Sequence, residues 1–160
     1  MTTRWLTKDE QTAWIRFAAV LELLPGVLDS QLLRDEGLTH FDYFALAMLS
    51  EAPERTLRMT QLAGLTSATL PRLSRVLNRL EQQGLVERQP CPTDRRATNV
   101  VLTERGRAKV VHAAPGHVDN VRNSVLNTLS PEQVGQLSTI CAQLLSKLDP
   151  DGKMFSHALG

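Results

Sequence analysis

LAGLTSATLPRLSRVLNRLEQQGLVER, residues 62–88, holds two helical apolar patterns separated by a few small polar residues. Met59, just upstream, joins Leu62, Ala63 and Leu65 in marking a short first helix. Thr69 is positioned as the N-cap of the second helix, and Pro71 falls in its first turn, where a missing N–H costs little. Leu73, Val76, Leu77 and Leu80 then share one face, and Gly84 supplies the stop. Two short helices joined by a tight turn, the second amphipathic and basic, predict a helix-turn-helix.

Directly after Gly84, residues 85–89 (LVERQ) and 98–102 (TNVVL) read as two short strands around a turn from Pro90 to Ala97. A helix-turn-helix followed by a β-hairpin is a winged helix, and B-DNA gives each part a separate task. The second helix fits a major groove about 12 Å wide, while the hairpin tip reaches a minor groove about 6 Å wide. Arginine suits the narrow groove, where negative potential concentrates and a weakly hydrated guanidinium gives up water readily. Arg95 and Arg96 at the tip are therefore candidate groove contacts, with Asp94 expected to hold the Arg96 guanidinium by bidentate hydrogen bonds. On the helix, Arg72 and Arg75 are best placed for base edges, with Ser74 offering polar reach. Arg79 and Arg88 are expected to contact phosphates, as is the helix start at Thr69.

The charge distribution agrees. Across the 160 residues the formal net charge is only +1, but residues 70–109 hold 9 Lys/Arg against 4 Asp/Glu, whereas residues 1–69 hold 6 against 9. A basic middle with acidic flanks suggests a local anion-binding surface. Arg105, Arg107 and Lys109 read as exposed decoration of a first helical turn. Cys91 and Cys141 stand far apart without zinc spacing, and His40, His112 and His117 have no metal-ligand spacing, so neither metal nor cofactor is expected. Cys141 lies on an apolar stripe and reads as core. With no apolar run long enough to span a bilayer and no secretory pattern at the start, a soluble cytoplasmic protein with no membrane partner is expected.

Outside the winged helix, Thr7 and Glu10 form a capping-box pattern opening a long helix over residues 8–33, with a kink or interruption expected at Pro25-Gly26. Gly37 and Thr39 close it and open a second helix, which ends by Pro53. Thr103 caps a valine- and alanine-rich helix perturbed at Pro115-Gly116, and Ser130-Pro131-Glu132-Gln133 opens the last one. The apolar stripes of these terminal helices have too little domain to cover them, so burial against a second copy is expected. A pocket for a small aromatic effector would lie between those helices and the winged helix, lined by Trp14, Tyr43, Phe44 and His112.

The quoted helices together with PTDRRATNVVLTERG, residues 92–106, resemble the MarR (multiple antibiotic resistance regulator) family. The resemblance includes the wing signature of Asp94, any residue and Arg96, followed by an apolar residue, Leu102, Thr103 and Gly106, and it extends from about Thr7 to Leu148. It implies a homodimer with interlocked terminal helices, two winged helices on near-palindromic double-stranded DNA, and repression relieved by a small phenolic or aromatic ligand or by cysteine oxidation. Leu70-Pro71 departs from the small polar residues that members often carry there.

The fold class is thus mainly α with a small β-hairpin: a winged helix-turn-helix flanked by N- and C-terminal dimerisation helices. Residues 1–38 and 110–149 form the dimerisation region, 39–109 the DNA-binding domain, and 150–160, with His157, a flexible tail. The function predicted is a sequence-specific DNA-binding transcriptional repressor. Two alternatives stand beside it: a redox-sensing regulator acting through Cys91, and a winged helix used for protein interaction. An enzyme is not expected, because the chain carries neither a phosphate-binding glycine loop nor a nucleophile elbow.

Overall fold

The computed structural model describes residues 2–154; residues 155–160 of the expected flexible tail, His157 among them, lie outside the described residues. The elements run α1 (Lys8–Glu36), α2 (His40–Glu51), β1 (Thr56–Arg58), α3 (Met59–Leu65), α4 (Leu70–Gln82), β2 (Val86–Cys91), β3 (Asp94–Leu102), α5 (Glu104–Ser124) and α6 (Pro131–Leu148). Helix starts follow the local capping chemistry. Thr7, Thr39, Thr69, Thr103 and Ser130 each accept a bond from the backbone amide three residues on, and at Thr7, Thr39 and Ser130 the partner side chain reaches back to complete the box. Gly37, at φ +67°, closes α1 in the left-handed conformation.

Three features differ from the sequence expectation. Helix α1 is one continuous helix through Pro25-Gly26, and α5 likewise through Pro115-Gly116. All four residues are exposed, so each carbonyl that loses its amide partner to proline can turn to water instead of breaking the helix. The two-stranded hairpin is a three-stranded antiparallel sheet of order β1-β3-β2, because the triplet Thr56-Leu57-Arg58 pairs with Val101, Val100 and Asn99. The wing turn is also tighter than the Pro90–Ala97 segment suggests. Cys91 already pairs with Asp94, while Pro90 pairs with Thr98. Arg95, Arg96 and Ala97 therefore bulge from β3 with no opposite residues on β2.

The core lies under the helix-turn-helix. Leu73, Leu77 and Leu80 of α4 are fully buried against Leu46 and Leu49 of α2, Leu62 of α3, and Val86 and Val100 of the sheet. Between α3 and α4, Ser67 takes a left-handed turn at φ +51°, and Ala68 N–H bonds Ala63 O at 2.9 Å. The other long helices are different. Helix α5 packs along α1, where Asn120 Nδ2 donates to Val27 O at 3.2 Å, but α6 has no buried residue. None of the helices among the described residues is long and apolar enough to cross a membrane.

At the end of the wing, Thr103 N–H donates to Leu85 O at 3.1 Å and Thr103 Oγ1 to Gly84 O at 2.6 Å. This clamp presses α5 against Leu85 so closely that any Cβ at Gly106 would collide with the Leu85 carbonyl oxygen. Gly106→Ala is therefore expected to destabilise the fold by about 1–3 kcal/mol, read as a lowered urea midpoint. An unchanged midpoint would show that α5 can shift without loss.

Candidate nucleic-acid interface

The buried leucines of α4 leave Pro71, Arg75, Asn78 and Gln82 on the opposite side of the helix, all exposed. Leu70 and Ser74 lie toward the wing, and Arg72 and Arg79 toward α2. Thr69 caps the helix by accepting from Arg72 N–H at 3.3 Å. Its first turn, carrying Leu70 and Pro71, stands beside Arg96, Ala97 and Thr98 of β3 across an open groove of about 410 Å³, which Arg58, Met59 and Thr60 also line.

The arginines divide by what they touch. Arg79 donates to Asp42, a carboxylate only 2% exposed that also accepts from Thr39 N–H at 2.9 Å. Arg88 donates to Glu81 at 2.8 Å and also to Asn78, which ties β2 to the wing-facing flank of α4. The guanidinium of Arg72 lies 4.2 Å above the Phe41 ring, a cation–π contact that fixes its stem against α2. By contrast, Arg75, Arg95 and Arg96 are exposed and enter no ion pair among the described residues. Arg105 runs past Gly84, near enough that a Cβ there would meet its stem, Arg107 pairs with Glu104, and Lys109 pairs with Glu36 at 2.9 Å instead of simply facing solvent.

Asp94 does orient the wing, but differently from expectation. Its carboxylate accepts from the backbone N–H of Arg96 at 3.0 Å and makes no bond to the guanidinium. The carboxylate thus shapes the bulge and leaves the Arg96 head unpaired. Arg58 is a neighbour the sequence reading missed: its Nη2 lies 3.7 Å from Cys91 Sγ, beside the groove. The only sequence signal was a cation in a three-residue segment too short to read as a strand. Cys91 is 6% exposed, and hydrogen bonding from Thr93, with Arg58 adding to it, holds its thiol below the ordinary cysteine range. Cys141, expected in a core, is half-buried on α6.

This chain shares its fold and much of its sequence with known regulators. Sco3205 from Streptomyces coelicolor, a MarR family transcriptional regulator solved in complex with DNA, is 42% identical over 93% of each chain, with a TM-score of 0.90. AbsC, a MarR family transcriptional regulator from the same organism, is 38% identical with a TM-score of 0.86, covering 91% of this chain and 98% of AbsC. This chain belongs to the MarR family. The MarR family model itself matches residues 36–97, from the end of α1 to the wing bulge. The S. aureus MepR–DNA complex is 22% identical over 89% of this MarR-family chain and 99% of MepR, with a TM-score of 0.73, a likeness of fold.

The four expected effector residues do not converge. Trp14 packs edge-on to Phe17, and His112 Nδ1 meets Glu36 Oε1 at 2.8 Å. Those two places are separated by 22 residues of one helix, about 33 Å. Tyr43 and Phe44 instead flank a histidine pair: the His40 and His117 rings lie 5.7 Å apart, Tyr43 lies 4.6 Å from His117, and Phe44 lies 6.3 Å from His40. His117 Nδ1 and Gln31 Oε1 are buried there without a hydrogen-bond partner.

Burial lowers both histidine pKa values; the Asp29 carboxylate opposes this at His40, and His40 reinforces it at His117. Because the folded-state values lie below the unfolded one, unfolded imidazoles bind protons first as pH falls through about 6.5. Stability is thus unaffected above that point and declines below it. The expected result is a melting temperature that falls from pH 7.5 to 5.5, with a smaller fall in His117→Phe; a flat wild-type profile would contradict it.

The Asp42 pair gives a second expectation. Arg79→Ala, which leaves a buried carboxylate with one donor fewer, should destabilise folding by about 1–3 kcal/mol in urea at fixed protein concentration. Were Arg79 solely a phosphate contact, its unfolding midpoint would not move.

Proposed function

We propose that this chain is a dimeric, sequence-specific DNA-binding transcriptional regulator, a repressor whose release is set by a small ligand. The observation that carries the reading is the set of unpaired guanidiniums at Arg75, Arg95 and Arg96, on the outer side of α4 and on the bulged wing. Three exposed cations on one helix face and the adjoining wing suit adjacent grooves of one duplex. In this reading Arg75 reaches base edges, Arg96 and Arg95 enter the minor groove, and Thr69, Ser74 and Arg72 lie along the backbone. Asp94 shapes the wing, while Arg79 and Arg88 serve chiefly to brace the reading helix. The relative Sco3205, 42% identical and solved in complex with DNA, supports a DNA-binding role for the chain.

Dimerisation is supported by the uncovered apolar surface of the terminal helices. Trp14, Ile15, Val20 and Leu23 of α1 and Ile140 and Leu144 of α6 are all more than a third exposed in the single chain. We assign residues 1–38 and 110–149 to this interface and 39–109 to DNA binding, with α5 running unbroken across residue 110 as a rod joining the two. The effector would act at the His40–Tyr43–Phe44–His117 junction, where α1, α2 and α5 meet. The redox alternative through Cys91 has a lowered thiol pKa in its favour and the small exposed surface of the side chain against it.

Light scattering is expected to give twice the 17.8 kDa of one chain. Gel-shift titration should show nanomolar binding to an inverted repeat with half-sites about one helical turn apart. Affinity no better than for scrambled DNA would reject the reading. Arg96→Ala should weaken binding and reduce the salt slope by about one unit.

A further inference from the structure

We infer that Leu70 and Pro71 form an apolar reading element that recognises the C5-methyl group of thymine in the major groove, an inference that rests on the DNA-binding function proposed above. Leu70 is the first residue of α4 and 47% exposed, and Pro71, the second, is exposed beside it. Neither is needed by the core, which α4 serves through Leu73, Leu77 and Leu80. An exposed aliphatic side chain on the wing-facing flank of the leading turn, next to an outer side that carries Pro71 with Arg75, Asn78 and Gln82, is out of keeping with a surface built only to attract phosphate.

Helices of this kind meet base edges with their N-terminal residues. In the major groove each base pair offers hydrogen-bonding groups, but only thymine offers a methyl group, and apolar side chains are its natural contact. Proline has no N–H to donate, and its rigid ring presents carbon with little side-chain entropy to lose. The surroundings commit the occupant to nucleic acid: the groove beside Leu70 and Pro71 is edged by Arg58 and Arg96, with Arg75 one turn further along α4. A cationic rim around an apolar tip matches a polyanion whose base edges carry methyl groups. Arg75 then reads a neighbouring guanine, so each half-site is expected to hold a thymine beside a guanine.

Deoxyuridine in place of thymine removes that methyl and nothing else. The test begins by enriching bound sequences from a random duplex pool with the full-length protein. Each thymine of the enriched site is then replaced singly by deoxyuridine, and affinity is measured for the wild type and for Leu70→Ala and Pro71→Ala. Wild-type protein is expected to lose about three- to tenfold at one thymine per half-site, from the burial of one methyl group. Leu70→Ala or Pro71→Ala should bind the thymine site more weakly and lose that sensitivity, while keeping the wild-type melting temperature. An enriched site with no deoxyuridine-sensitive position, or sensitivity that persists in both variants, would overturn the inference and leave the regulatory function standing. Failure to enrich any sequence would overturn both.

Discussion

The carboxylate of Asp42 is the point on which the reading geometry rests. It is buried, and it answers two donors at once: the Thr39 amide at the start of α2 and the guanidinium of Arg79 on α4. A charge taken out of water must be compensated where it lies. The reading helix therefore holds a fixed azimuth against α2, which decides which of its residues face outward. One step further, the His40 amide donates to Asp29 Oδ1 at 2.7 Å, so the start of α2 is also tied to α1. Polar contacts thus run from a long terminal helix through α2 to the helix that carries Arg75.

This tethering explains why a block of like charge does not behave as a uniform surface. In the basic segment, Arg79 and Arg88 are neutralised by Asp42 and Glu81, and Arg72 is held over Phe41. Arg79 and Arg88 thereby brace the helix, while Arg72 keeps its charge with its head positioned over the ring. Arg75, Arg95 and Arg96 stand where the backbone projects outward, on the open side of α4 and on the three-residue bulge of β3. Spending some guanidiniums on internal pairs pre-organises the others, so less freedom is lost when a ligand orders them.

Asp94 shows the same economy on a smaller scale. Placed next to two arginines it invites an ion-pair reading, yet it bonds the Arg96 amide instead. An Asx-type bond to the amide two residues on is a local turn device, and it competes successfully because it needs no long side chain to be fixed. The acid therefore shapes the wing without cancelling its charge. Gly106 works in a comparable way at the base of the wing, where the close approach of α5 to the Leu85 carbonyl leaves no room for a Cβ.

The amino-acid order alone determined the run of helices, their caps, the helix-turn-helix and the existence of a wing, because those follow from local hydrogen bonding and from apolar periodicity within a few residues. It also marked residues 70–109 as the basic segment. Tertiary structure decided what depends on neighbours distant in sequence: that Thr56–Arg58 becomes a third strand by pairing with β3, that the prolines in α1 and α5 interrupt neither helix, and that Trp14 and His112 lie at opposite ends of α1. The division of arginines into braces and free contacts belongs there too. A side chain's partner across 37 residues, as for Arg79 and Asp42, is set by packing, and no local pattern encodes it.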